Sequence, residues 1–140
     1  MNELTCGALL KQISDVLEKN ANNALREQEL TISQSGVLVL LDKKDNKTAT
    51  FKELEGNFGV SQPTMVGLLN RLKQKDLVEI LTDAQDKRIK KARLTSKGEE
   101  KCKEGYKYMN SAEEMLLKSL TDEEKTEFKR LLFIIKSSLN

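Results

Sequence analysis

Two helix starts, with a helix stop between them, fall between Thr50 and Ser61, and few chain topologies satisfy all three. Thr50 with Glu53 three residues on is a capping box: the hydroxyl takes an orphan amide of the first turn, and the carboxylate reaches back to the cap amide. A helix is therefore predicted from Phe51. Gly59 stops it, because only glycine enters the left-handed cap conformation without a Cβ penalty. Ser61 is a second N-cap, and Pro63 is tolerated after it because first-turn amides have no intrahelical acceptor. Two helices joined by so tight a turn form a helix-turn-helix. In such motifs the second helix lies in the DNA major groove.

The residues that follow narrow the fold further. Leu77 to Thr82 reads as a strand, Asp83 to Lys87 as a turn and Arg88 to Leu94 as a returning strand. A helix-turn-helix followed by a β-hairpin is a winged helix, and Thr48 to Thr50 is expected to add a short third strand. On the second helix Met65, Leu68, Leu69 and Leu72 share one face, which must be the core side. Pro63, Val66, Gly67, Asn70, Arg71 and Gln74 point the other way, with Ser61, Gln62 and Thr64 at the first turn. Gln62, Thr64 and Asn70 are suited to base edges or phosphates, and Arg71 to a phosphate or a guanine. Lys87, Arg88, Lys90, Lys91 and Arg93 put five cations into seven residues of the hairpin. Alternation sends Lys90 with Ala92 to one face and Lys91 with Arg93 to the other. Lys87 and Arg88 at the tip suit a narrow minor groove, whose negative potential attracts cations.

Charge follows the same division. Residues 61–94 hold 8 basic and 4 acidic side chains, an excess of +4, whereas residues 1–60 hold 7 and 9 and residues 95–140 hold 9 of each. The positive excess thus sits on the reader helix and wing, where a phosphate backbone would lie.

Five blocks in a fixed order carry a family resemblance: LTISQSGVLVLL at 30–41, FKELEGNFGVSQPT at 51–64, NRLKQKDLVE at 70–79, DAQDKRIKKARLTSKG at 83–98 and LTDEEKTEFKRLL at 120–132. The chain resembles the MarR family of bacterial transcription regulators over about its whole length. The most specific piece is the wing pattern D-x-x-D-x-R running into L-T-x-x-G, matched by Asp83, Asp86, Arg88, Leu94, Thr95 and Gly98. The resemblance implies a mainly α fold in which residues 31–94 form the winged helix that binds DNA. Residues 1–30 and 95–140 would then form dimerisation helices interlocked about a two-fold axis. It also implies a homodimeric repressor on a pseudo-palindromic operator, with Asp83 and Asp86 structuring the wing and a small anionic aromatic effector releasing the DNA. The chain departs from the pattern in three places. Val66 and Gly67 stand where many members have Thr-Arg, and Ile80 and Asp76 replace an Arg and a Gly before the wing. Glu55 stands at a usually small position.

The terminal segments read as helices that need a partner. Leu9, Ile13, Val16, Leu17, Ala24 and Leu25 recur at helical spacing from about Thr5 to Arg26. Thr31 with Gln34 starts a second helix, Thr95 opens one running to about Lys118, and Thr121 with Glu124 starts the last, striped by Phe128, Leu131, Leu132, Ile135 and Leu139. The central winged helix offers little surface for these stripes, so a second copy of the chain is the expected partner.

Other chemistry finds little support. The chain has no histidine, which removes the commonest general base and metal ligand, and it has no Gly-rich phosphate loop or CxxC pattern. No enzyme activity, cofactor or metal is expected. No apolar run reaches the roughly 18 residues of a membrane span, and no signal peptide is visible, so a cytoplasmic, nucleoid-associated location is expected. Cys6 and Cys102 are too few for a disulfide framework. Cys6 lies near where the peroxide-sensing branch of the family carries its reactive thiol, so an oxidant-sensing repressor is one alternative. A winged helix turned into a protein-interaction module with weak DNA binding is the other, motivated by Val66, Gly67 and Ile80.

Overall fold

The computed structural model describes residues 3–139. In chain order it contains α1 (Cys6–Glu27), α2 (Ile32–Lys43), a short 3-10 turn (Asp45–Lys47), β1 (Thr48–Thr50), α3 (Phe51–Phe58), α4 (Gln62–Gln74), β2 (Val78–Thr82), β3 (Lys90–Leu94), α5 (Ser96–Leu117) and α6 (Asp122–Leu139). The fold is mainly α with a small antiparallel wing sheet, and the helices begin where the capping residues place them. Thr5 Oγ1 accepts the Ala8 amide, Thr31 and Thr50 each complete a capping box, and Thr121 and Glu124 exchange bonds of 2.9 and 3.1 Å. Such caps each contribute on the order of 1 kcal/mol.

The chain forms two compact units, one through Tyr106 and one from Lys107 onward. In the first, the sheet has the order β1-β3-β2, and Ala92 lies between Ala49 and Ile80. Its core joins Val37, Leu38 and Leu41 of α2 to Leu54, Met65, Leu69, Leu72, Leu77, Val78, Ala92 and Leu94. Cys102 on α5 is buried there, and burial pushes its thiol up to about 11. Tyr106 donates its hydroxyl to Asp42 at 2.9 Å, and Lys47 bonds both the carboxylate and the carbonyl of the same residue. The Lys47 ammonium holds Asp42 below the usual carboxylate range, while burial and the Asp42 bond push Tyr106 up to about 12. The second unit comprises the end of α5 and α6, and no residue of α6 is buried.

Both strands of the hairpin are shorter than the sequence suggests. Leu77 does not start β2, because its amide bonds the Leu72 carbonyl at 3.0 Å and closes the end of α4. Arg88 and Ile89 do not start β3, because they complete the turn: the Ile89 amide bonds Asp86, and the Ile89 carbonyl accepts the Asp83 amide. The stripe of α1 also divides. Leu25 is buried, Leu17 and Ala24 are half-buried, and Leu9, Ile13 and Val16 face solvent.

Candidate nucleic-acid interface

The reader helix is positioned from both ends. At its start Gly59 adopts φ +61°, and the Gly59 and Val60 amides fold back onto the Glu55 carbonyl. Val60 then leads into Ser61, whose hydroxyl accepts the Thr64 amide and donates to Thr64 Oγ1 at 3.0 Å. Met65, Leu69 and Leu72 are fully buried, each worth roughly 1.5–3 kcal/mol relative to exposure, and Leu68 packs partly buried against the same core. This anchoring fixes the opposite face, where Ser61, Gln62, Pro63, Thr64, Asn70, Arg71 and Gln74 are exposed. Val66 and Gly67 lie half-buried between them, and a Cβ added to Gly67 would meet nothing within 4 Å.

The wing is a turn held by two carboxylates. Asp83 accepts the amides of Gln85 and Asp86 at 3.0 Å through one oxygen and the Lys91 ammonium at 2.9 Å through the other. The lysine bond, then the two amides, hold Asp83 below the usual carboxylate range. Asp86 accepts the Arg88 amide at 3.0 Å and grips its guanidinium with two bonds of 3.1 Å. That guanidinium holds Asp86 low, and Arg88 is raised in return.

Folding sorts the five wing cations into different environments. Lys91 is paired with Asp83, and Arg93 with Glu79 on the neighbouring strand, opposite which the register places it. Arg88 is paired as well, yet its side chain is 91% exposed, so it projects from the tip in a fixed orientation. Among the described residues, Lys87 and Lys90 form no ion pair, and both are exposed.

A cleft of about 630 Å³ brings the reader and the wing together, lined by Gln62 and Val66 of α4, by Asp86, Arg88, Ile89 and Lys90 of the wing, and by Thr50, Phe51, Lys52 and Glu55. It separates the predicted reader residues into two groups. Gln62 and Val66 turn toward the wing, whereas Pro63, Thr64, Gly67, Asn70 and Arg71 do not line this cleft. Sequence reasoning missed Phe51, Lys52 and Ile89. The signal for the first two was the third strand: β1 pairs with Lys91 to Arg93, which delivers the start of α3 beside the wing. Cys6, at the first position of α1, is exposed, and neither the reader nor the wing includes it.

Among the described residues no helix is long and apolar enough to cross a membrane. A family model described as MarR family matches residues 28–89, from the end of α1 to the wing tip. No curated protein sequence matches the chain. Among solved structures it is similar to MepR of S. aureus, described as a transcription regulator of the multidrug efflux pump MepA, at 26% identity and a TM-score of 0.84 over 98% of this chain and 100% of that one. The S. aureus MepR–DNA complex is 27% identical, with a TM-score of 0.83 over 97% and 99% of the two chains. Wild-type MarR from E. coli, at 24% identity, 96% and 98% coverage and a TM-score of 0.81, shares the fold. The capped reader helix and the carboxylate-held wing turn thus lie within the stretch that the MarR family model matches, and over nearly its whole length the chain is similar to the transcription regulator MepR.

Proposed function

We propose that the chain acts as a homodimeric, sequence-specific repressor on a pseudo-palindromic DNA operator. The observation that carries this reading is the cleft: the first turns of α4 and the cations of the wing tip border one concave surface. Ser61, Gln62, Pro63, Thr64, Val66, Gly67, Asn70 and Arg71 would enter or flank the major groove, and Lys87, Arg88 and Lys90 the minor groove beside it. Exposed Leu9, Leu10, Ile13 and Val16 on α1, and Leu131, Phe133, Ile134 and Ile135 on α6, support pairing with a second copy. The DNA complex of MepR supports duplex DNA as the ligand. The likeness to the MarR family supports a cytoplasmic site of action on the nucleoid and release by a small anionic aromatic effector. Such a signal releases DNA only by favouring a dimer geometry in which the two reader helices are differently spaced.

Selection of random duplexes by the purified protein tests this. The recovered sequences should contain an inverted repeat with half-sites about 10–10.5 bp apart, or a multiple of that. Recovery of sequences without a dyad, or of no enriched sequence, would overturn the reading. Phe51, Val66 and Ile89 make part of the cleft apolar, which favours a second reading as a protein-interaction module. Retention on a heparin column across a salt gradient separates the two, since only a DNA binder loses affinity steeply with salt.

A further inference from the structure

The last turn of the reader helix is where several of the chain's long-range side-chain bonds converge. α4 ends in a Schellman arrangement: the Asp76 amide bonds the Lys73 carbonyl at 2.9 Å, the Leu77 amide bonds Leu72 at 3.0 Å, and Asp76 takes φ +61°. Two other segments hold these residues. The Thr95 hydroxyl donates to the Asp76 carbonyl at 2.6 Å, and the Thr95 amide bonds the Leu77 carbonyl at 3.1 Å. From the opposite direction, the corner between α1 and α2 holds Lys75. Its ammonium donates to the Glu29 carbonyl and, at 3.0 Å, to Gln34 Oε1.

That corner is more than a capping box. Gln34 is 5% exposed, the one polar side chain in the buried set of the described residues. Its Oε1 accepts the Thr31 amide at 3.3 Å, as the capping box requires, and also accepts Lys75 from 41 residues away. An exposed glutamine would cap α2 equally well, so capping does not explain the burial. Lys75 is half-buried with both acceptors engaged, unlike the exposed Arg71 one turn earlier. Its ammonium is therefore committed to two acceptors at the α1–α2 corner, and the bonds it makes are of the stronger, charge-assisted kind.

We propose that Lys75 is a positioning residue for DNA reading: it ties the tilt of α4 to the α1–α2 corner, so that the reader helix follows any displacement of α1. This rests on the reading of the protein as a DNA-binding regulator. Loss of the tie leaves α4 folded on its apolar face but free to rock in the groove. Base contacts, which need register, then suffer, while phosphate contacts do not.

The test uses the full-length protein, a duplex recovered by random-sequence selection with the wild type, and a scrambled duplex of the same composition. Lys75→Met keeps the aliphatic stem and removes the donors. It should lower affinity for the selected duplex by about ten-fold, the effect of losing a charged hydrogen bond, and leave scrambled binding and its salt slope unchanged. Gln34→Met, which leaves the bond to the Glu29 carbonyl, should lose part of the same preference, and the double variant should be no worse than Lys75→Met alone. Gln34→Glu, which retains both acceptor roles, should keep full discrimination; its failure to discriminate while remaining folded overturns the proposal even if Lys75→Met does not fold. Selected-duplex binding by folded Lys75→Met at wild-type strength overturns it. Equal loss on both duplexes with a flattened salt slope also overturns it, making Lys75 a phosphate contact. A wild type that never separates the two duplexes overturns the regulator reading and the role of Lys75 with it, whereas a discriminating wild type with an unaffected Lys75→Met overturns the role of Lys75 alone.

Discussion

Gly67 and Gly98 show how one residue type serves opposite purposes. Around Gly67 there is open space on the half-buried outward side of α4, so glycine is not required by packing within the chain. Gly67→Ala should raise stability by up to about 1 kcal/mol from helix propensity. If the space exists for close approach to base edges, the same variant should lose preference for a selected duplex while scrambled binding holds. Thermal melts and a competition titration on one preparation decide this, and a stabilised variant with full preference defeats the close-approach idea. At Gly98 a Cβ would come 2.2 Å from the Leu77 carbonyl oxygen and 2.6 Å from Leu94 Cδ1. Gly98→Ala should therefore destabilise by roughly 1–3 kcal/mol in denaturant titrations, the cost of overpacking; a neutral result would mean that the start of α5 is free to move away from Leu77. The Thr95-x-x-Gly98 spacing was legible in the sequence, but its cause, a backbone carbonyl pressed against the first turn of α5, was not.

At the scale of the element, the wing matters more for how its charges are paired than for how many it has. Arg93 lies across from Glu79 and its charge is cancelled locally. Arg88 is gripped by Asp86 on one side of its guanidinium, which still leaves donors free for DNA. Arg88→Ala should weaken selected and random duplexes alike and flatten the salt dependence by about one unit of slope, as should Lys90→Ala. Arg93→Ala should leave the slope near its wild-type value. Affinities measured at several salt concentrations check all three, and an Arg88→Ala variant with unchanged affinity and slope has no DNA contact there. Alternation along β3 anticipated which faces the cations share. It did not reveal their partners, because Asp83 and Glu79 meet them only once the turn has closed.

At the scale of the whole molecule, apolar exposure is the dominant fact. α6 leaves Leu131, Leu132, Phe133, Ile134, Ile135 and Leu139 exposed, and α1 leaves Leu9, Leu10, Ile13 and Val16 exposed. Contiguous exposed apolar surface marks interaction sites, and a second copy of the chain is the proposed occupant. Sedimentation of the full-length protein should return twice the chain mass. Removal of the chain from Thr121 onward should yield monomeric or insoluble protein, because obligate dimers often lack a stable folded monomer. A well-folded full-length monomer would sink the homodimer.

The helices, their starting residues and the winged-helix order were written into the sequence because capping and amphipathic periodicity act over three or four residues. Thr31 with Gln34, Thr50 with Glu53 and Thr121 with Glu124 are pairs a reader of the chain can see. The third strand was visible on the same footing, as a short β-prone run before a capped helix. The strand ends were not, since Leu77 and Ile89 spend their backbone bonds on closing a helix and a turn. Nor were the bonds that set the reader's orientation. Lys75 and Gln34 are 41 residues apart and Tyr106 and Asp42 are 64 apart, with no local pattern to announce either pair. Only the packing of α1, α2, α4 and α5 around one core brings them within hydrogen-bonding distance, and burial then makes each partner costly to leave unsatisfied.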